Sequence, residues 1–344
     1  MRTNLVTGGA GFVGTNMAHR LLEAGERVVV LDDLSRSGVE RNVRWLQASH
    51  PERLEVVEGD VRDAAAVRQA ARNADRVFHF AAQVAVTTSV TDPMHDHAVN
   101  VGGTLTLLEE LRRRSDPPPL LFTSTNKVYG KLAGLQVEEH GGRYQPRDRH
   151  VRRHGVGEQW PLQFASPYGC SKGAADQYVL DYSETYGMPA VVFRMSCIYG
   201  PHQHGNEDQG WVAHFLLQAH EGAPITLYGD GRQVRDVLYV DDLLDAMLLA
   251  TAQVDRLAGQ AFNMGGGPDN TVSLLELLEL IGQLGSPPEV EYGEWRVGDQ
   301  RYYVSDTRRF QDATGWAPTV APEEGVKLLH DWITSARLTG AESS

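Results

Sequence analysis

Residues Thr7-Gly-Gly-Ala-Gly-Phe-Val-Gly14 stand between an apolar run at 4–6 and a helical pattern at 12–23. This strand–glycine–helix order constrains the chain more than any other feature. Gly8, Gly11 and Gly14 keep the spacing G-x-x-G-x-x-G. The first permits a tight turn, the second lets an anion approach the backbone, and the third lets the helix lie close to the strand. The helix start then offers free N–H groups and the positive end of its dipole to a phosphate. Glycine spacing alone is also met by plain structural turns, so its neighbours decide.

The alternation continues through the first half. Residues 27–31, 54–58, 76–80, 120–124 and 189–193 read as strands, and 63–72, 95–114 and 167–186 as helices. The strands are nearly all apolar, as when helices cover both faces of a sheet. The pattern predicts an α/β fold, a Rossmann-type doubly wound parallel sheet with a smaller C-terminal α/β substrate-binding lobe. The expected domains are a nucleotide-binding domain over 1–194, with a returning segment at about 236–264, and a substrate lobe over 195–235 and 265–336. Strands at 237–240 and 261–264 are expected to rejoin the main sheet. Helices are read at 211–220, 241–251, 273–284 and 322–335, the third from a capping box at Ser273. A flexible tail is expected at 337–344. Residues 138–163, rich in Arg, His, Gly and Gln, read as one long loop.

Charge narrows the partners. The formal net charge is -13 over 344 residues, and no long basic tract occurs. Nucleic acid and anionic membranes are therefore not expected partners. No apolar run reaches spanning length, and no signal peptide is expected ahead of a strand that starts at residue 4. Cys170 and Cys197 fit a reducing cytoplasm better than a disulfide framework. No Cys/His spacing matches a zinc cage, so no metal is expected.

Asp32 ends the second strand, where a carboxylate accepts ribose hydroxyls and repels a 2′-phosphate. NAD is therefore the expected cofactor. Arg36 keeps NADP open, since an arginine just beyond this strand can take that phosphate. Asp60 and Val61, after the third strand, suit the adenine end; an ordinary helix cap explains Asp60 equally well. Tyr168 and Lys172 lie four apart on one helix face. An ammonium beside a phenol favours the phenolate, and a hydroxyl from Thr125 can share a substrate proton. The chain has only four lysines, Lys127, Lys131, Lys172 and Lys327. Tyr-x-x-x-Lys is common on ordinary amphipathic helices, so its context carries the weight.

These motifs resemble the extended short-chain dehydrogenase/reductase family, the NAD-dependent nucleotide-sugar epimerases and dehydratases. The resemblance also runs through Gly59-Asp60-Val61, His79-Phe-Ala-Ala-Gln83, Asn100-Val-Gly-Gly-Thr104, Ser124–Gly130, Arg194–Pro201, Arg235-Asp236 and Arg296–Arg301. It implies Thr125, Tyr168 and Lys172 as catalytic residues. It implies a cofactor site of Gly8, Gly11, Phe12, Val13, Asp32, Asp33, Ser35, Arg36, Asp60, Val61, Phe80, Ala81, Ala82, Gln83, Asn100, Thr123, Tyr168 and Lys172. A nucleotide sugar would meet Gln83, Thr87, Thr88, Ser89, Thr125, Asn126, Lys127, Gln209, Trp211, Arg235, Arg296 and Arg301, with Arg235 and Arg296 clamping the pyrophosphate. Packing explains Trp211 as well, a helix cap explains Thr87–Ser89, and an ion pair within Arg235-Asp236 explains that arginine. The runs Ala82–Ser89, Ser166–Gln177 and Asn206–Val212 resemble most the members that act at C2 of a CDP-linked dideoxyhexose. The family's dehydratases carry Asp-Glu where this chain has Asn126-Lys127, which favours epimerisation. The expected function is C2 epimerisation of a CDP-linked (deoxy)hexose. C4 epimerisation of a UDP- or GDP-sugar, and a non-catalytic NAD(H)-sensing role, stay open. A homodimer, paired through the Tyr168 helix and a second helix, is implied by the resemblance alone.

Overall fold

The structure is a computed structural model that describes residues 1–285, 288–296 and 299–338. The chain divides into two compact units. The first holds Met1–Val128, Ser166–Arg194 and Leu244–Ala261; the second holds Tyr129–Ala165, Met195–Leu243 and Phe262–Ser344.

In chain order the elements begin with β1 (Thr3–Thr7), α1 (Phe12–Glu23), β2 (Arg27–Asp32), α2 (Val39–Ser49), β3 (Leu54–Glu58), α3 (Ala64–Ala71) and β4 (Arg76–His79). Then come α4 (Val86–Thr91), α5 (Pro93–His97), a π-helical stretch (Ala98–Gly103), α6 (Thr104–Arg112) and β5 (Leu120–Thr125). A hairpin of β6 (Val137–His140) and β7 (Arg143–Pro146) precedes α7 (Arg149–His154), α8 (Ser166–Tyr186) and β8 (Ala190–Met195). The chain continues through β9 (Cys197–Tyr199), α9 (Trp211–Glu221), β10 (Ile225–Tyr228), β11 (Val234–Tyr239), α10 (Val240–Ala252), α11 (Val254–Leu257) and β12 (Gln260–Met264). It closes with β13 (Thr271–Ser273), α12 (Leu274–Leu284), β14 (Val290–Gly293), β15 (Tyr302–Tyr303), α13 (Arg308–Thr314) and α14 (Pro322–Leu338). From residue 339 on, the expected tail lies outside the described residues.

The seven-stranded sheet runs β12-β8-β5-β4-β1-β2-β3. β1 pairs in parallel with both β2 and β4, so the strand order reverses at β1/β4. Doubly wound sheets bind ligands at the carboxyl ends of strands beside such a reversal. Here those ends release the glycine loop, residues 80–83 and residues 125–127. Leu5, Val77, Leu107, Phe122, Val179 and Val192 are fully buried together and fix the strand ends. Apolar burial of this kind contributes roughly 25 cal/mol per Å².

The second unit has its own core around Tyr199, Phe215, Leu227, Val237, Leu277 and Leu329. β11 lies in a small mixed sheet, antiparallel to β13 and parallel to β15 and β9. The strand expected at 237–240 therefore does not return to the main sheet; only β12 does. Every residue of β11 is buried, so its composition imitates a main-sheet strand.

Two further expectations are corrected. The helix read at 95–114 is broken by the π-helical stretch, and α2 and α4 occupy segments where no helix is expected. Residues 138–163 are not one loop. Gly141 and Gly142 take φ of 61 and 80, the left-handed pair a two-residue hairpin turn requires. Val137 then pairs with Pro146 and His140 with Arg143. Asp148 caps α7 through the N–H groups of His150 and Val151.

Candidate active site

The glycine loop is a close-packed cradle. Gly8 has φ of 67, and a Cβ there would stand 2.6 Å from the Ala81 nitrogen. A Cβ on Gly14 would meet the Gly8 carbonyl oxygen at 2.2 Å. Gly11 caps α1 without a side-chain partner, and the first turn, with half-buried Phe12 and Val13, carries no acidic residue. The site thus keeps a helix N-terminus open to an anion. The Asp32 carboxylate accepts from the N–H groups of Ala10 at 2.9 Å and Leu34 at 3.0 Å, joining this loop to the end of β2. Burial raises the Asp32 carboxyl above its usual range, against those two bonds and the Arg36 charge. Asp33 forms its own turn with Ser35. A cradle that only glycine fits, followed by a carboxylate at the strand end, suits a dinucleotide and its ribose hydroxyls.

Other expected cofactor residues line the neighbouring strand ends. Asp60 is gripped by Arg62 at 2.9 Å, which draws its carboxyl below the usual range. It caps no helix; Asp63 caps α3. Val61 is buried against Gly103. Phe80 stacks on Phe78, and the Ala81 N–H donates to Thr7. Ala82 and Gln83 are half-buried, and Thr123 is buried, donating to the His79 carbonyl at 3.2 Å. Asn100 is buried and turned into the protein. Its Oδ1 accepts from the Gln83 N–H at 2.9 Å. Its Nδ2 has Gln83 O, Asp96 Oδ1 and Ser171 Oγ within 3.2 Å.

The expected catalytic residues come together. α8 starts at Ser166, whose hydroxyl accepts from the Gly169 N–H at 3.3 Å, with Pro167 next. Proline suits a first helical turn because its missing N–H has no partner there anyway. Tyr168 and Lys172 then sit one helical turn apart, both buried, and Thr125 hydrogen-bonds the Tyr168 phenol. Lys172 Nζ lies 4.3 Å from the centre of the Phe122 ring. Burial pushes the Lys172 ammonium down to about 7, opposed by Asp176 and Asp96.

The sequence reading has Lys172 lowering the Tyr168 phenol. In the protein's own field burial dominates instead and pushes the phenol up to about 12, while the Thr125 hydrogen bond pulls it down and Asp96 adds to the rise. Desolvation therefore pushes both groups toward their neutral forms, and at Lys172 the two carboxylates oppose it. His79 lies in the same buried set, bonded to Thr7 at 2.7 Å and Thr104 at 3.0 Å, and burial holds it down to about 3.

Asn126 is buried beside Thr125, and the Lys127 N–H donates to Thr125 Oγ1 at 3.3 Å. Thr87 and Thr88 are exposed on α4. Ser89 is buried and donates to the Val86 carbonyl at 2.6 Å, and none of the three caps the helix.

The second unit carries the remaining expected residues. Arg235 is buried and pairs with Asp299 at 2.6 Å, not with Asp236. Arg296 lies 3.9 Å from the centre of the Tyr228 ring, donates to the Glu207 carbonyl at 2.6 Å and faces Asp208 at 3.4 Å. Arg301 stands over Tyr144 and Trp295. Gln209 closes a tight turn with Asn206, and Trp211 opens α9 edge-on to Phe215.

The sequence reading missed Asp96, Ser171 and His79. Asp96 and Asn100 have helical i,i+4 spacing, a signal open to reading. Among the described residues one trio of side chains is grouped closely enough for a cation: His19, Glu23 and His50. Their atoms already bond one another, His19 Nδ1 to His50 Nε2 at 3.0 Å and the latter to Glu23 at 3.4 Å. No helix among the described residues is long and apolar enough to cross a membrane.

The chain resembles known proteins along most of its length. Residues 4–265 match the NAD dependent epimerase/dehydratase family. The chain is 41% identical to a CDP-paratose 2-epimerase of Salmonella typhi, over 96% of this chain and 99% of the relative. It is 34% identical to a UDP-glucose 4-epimerase of Mycolicibacterium smegmatis, over 95% and 96%. The crystal structure of a Thermus thermophilus UDP-glucose 4-epimerase in complex with NAD superposes with a TM-score of 0.81, at 33% identity, covering 97% of this chain and 99% of that one. With its glycine cradle, its Asp32 carboxylate and its buried Thr125–Tyr168–Lys172 set, the chain belongs to the NAD dependent epimerase/dehydratase family, and its cofactor is NAD.

Proposed function

We propose that the protein is a nucleotide-sugar epimerase that inverts a carbinol carbon through transient oxidation, and that its substrate is a CDP-linked hexose or deoxyhexose inverted at C2. The observation that carries the reaction type is the buried Thr125–Tyr168–Lys172 set at the strand end, flanked by Asn126 and Lys127. A C2–H in a nucleotide-linked hexose is not α to a carbonyl, so removing it as a proton is steeply uphill. Bound NAD supplies the hydride acceptor and donor. Tyr168 Oη takes the hydroxyl proton and later returns it, and Thr125 Oγ1 orients the reacting oxygen. Lys172 supplies the positive charge that favours the phenolate. Neither Asn126 nor Lys127 is a carboxylate, so the site lacks the acidic pair that suits loss of water.

The choice of C2 and of CDP rests on the 41% identity to the Salmonella typhi relative. In the second unit Arg235 and Arg296 would bind the pyrophosphate by exchanging a carboxylate for a phosphate. The proposal includes a homodimer paired through α8, where Tyr178 and Tyr186 are exposed; a monomeric mass in solution would remove that part.

Incubation with CDP-, UDP- and GDP-hexoses, read by NMR at C2 and C4, tests the assignment. Inversion at C2 of the CDP sugar is the expected result. Inversion at C4 of a UDP or GDP sugar replaces the substrate and keeps the chemistry. Turnover of none, with NAD retained, leaves a sensing role.

A further inference from the structure

Lys172 is a buried cation at 3% exposure, and a buried cation needs a counter-charge. Two carboxylates act on it, Asp176 and Asp96. Asp176 is already committed: Arg194 donates to both of its oxygens, each at 2.9 Å. Asp176 acts on Lys172 more strongly than Asp96 does, but both of its oxygens are held by Arg194.

Asp96 is different. It is fully buried, yet its Oδ2 has no hydrogen-bond partner among the described residues. Its Oδ1 accepts from Asn100 at 3.2 Å, and the same amide reaches Ser171, the residue before Lys172, whose hydroxyl donates to the Tyr168 carbonyl at 3.2 Å. Asp92 caps α5 through the His95 N–H and so fixes the turn that carries Asp96. The π-helical stretch follows at once and turns Asn100 toward α8, where its amide reaches Ser171 at 2.9 Å. π-Helical turns recur at functional sites because they re-aim side chains in this way.

The other charged or titratable groups around the pair are His95 and His97, which flank Asp96, His79 on β4, which faces Lys172, and Tyr168 itself.

We infer that Asp96 is a positioning residue for the reaction: its carboxylate is a second counter-charge, beside Asp176, that helps keep Lys172 an ammonium next to Tyr168, and Asn100 holds it in place. The inference rests on the proposed role of Tyr168 and Lys172. A carboxylate also opposes the phenolate directly. Asp96 therefore helps catalysis only by keeping Lys172 charged, and an amide in its place costs activity at the pH where Lys172 goes neutral.

The four lysines make this measurable. In holoenzyme labelled at lysine Cε, four NMR signals are followed against pH, and Lys172→Arg assigns one. Lys172 is expected to titrate well below the ordinary lysine value. In Asp96→Asn it is expected about one unit lower still, with the alkaline limb of the kcat profile moving down by the same amount. Asp96→Glu should return both toward wild type. A folded, NAD-retaining Asp96→Asn whose Lys172 titrates as in wild type overturns the inference. If that variant does not fold, Lys172→Met gives the reciprocal test. The Asp96 carboxyl carbon should then titrate higher than in wild type, and an unmoved titration overturns the inference equally. Full turnover in Tyr168→Phe would instead sink the proposed proton chemistry while leaving the Asp96–Lys172 titration as measured.

Discussion

The candidate site residues of the two units are held in opposite ways. In the first, Tyr168, Lys172, Asp96, Asn100 and His79 are buried and locked by hydrogen bonds and packing. In the second, Arg296 and Arg301 reach the surface, and Arg296 sits against Glu207 and Asp208, carboxylates that are themselves exposed. Arg235 is buried but leans on the partly exposed Asp299. The contrast matches two tasks. Proton and hydride transfer need groups fixed before the substrate arrives, so that no reorganisation is left for the transition state. Gripping a charged ligand needs donors that can change partner. Exposed ion pairs of this kind contribute only about 0–1 kcal/mol, so a phosphate can displace a carboxylate at small cost.

That division can be broken first at Tyr168. Tyr168→Phe should lower turnover by ~10²–10⁴-fold with bound NAD unchanged by absorbance. A fall in NAD content of similar size would mean that the phenol holds the cofactor and not the proton. Arg235→Ala comes next. It should raise KM for the nucleotide sugar about 10- to 100-fold, the loss of one charge-assisted contact, with kcat within a few-fold of wild type. A loss confined to kcat would place Arg235 with the chemistry and erase the contrast between the units.

A smaller effect should appear in acid stability. His79 is held down to about 3 inside the protein, below its ordinary 6.5, so the unfolded chain binds its proton first as pH falls. Stability from neutral His79 is therefore complete above about 6.5 and is lost progressively toward 3. The difference in urea midpoint between wild type and His79→Gln should shrink across that window, and a constant difference would contradict it. Gly142→Ala is the mildest change. Its left-handed φ of 80 should cost about 1–2 kcal/mol of stability, with kcat and KM unchanged. A catalytic defect there would tie the β6–β7 hairpin to the site.

Much of the first unit was legible in the sequence because its strands are buried on both faces. The apolar runs that became β1 to β5 and β8 stand within a residue or two of their read positions. Gly8 and Gly14 were legible because only glycine fits there. β11 was not. Its run looks like a main-sheet strand, and its partners β9, β13 and β15 are set by contacts distant in sequence. α2 hid for another reason: Val39, Val43 and Leu46 keep helical spacing but stand among Glu, Arg and Asn. The Gly141-Gly142 turn was open to reading, but the Arg and His around it pulled the segment toward loop. In the site, Tyr168 and Lys172 share one helix, so local spacing revealed them. Asp96 meets Ser171 through Asn100, from an element far away in the chain, and Asp299 and Glu207 meet their arginines only in the folded second unit.

In the proposed reaction hydride, and not a proton, leaves the sugar carbon. Epimerisation of a CDP-hexose in deuterated water, followed by NMR of the product, reads this directly. The account predicts inversion at C2 with protium retained on that carbon. Substantial deuterium at C2 of the epimerised sugar would contradict it.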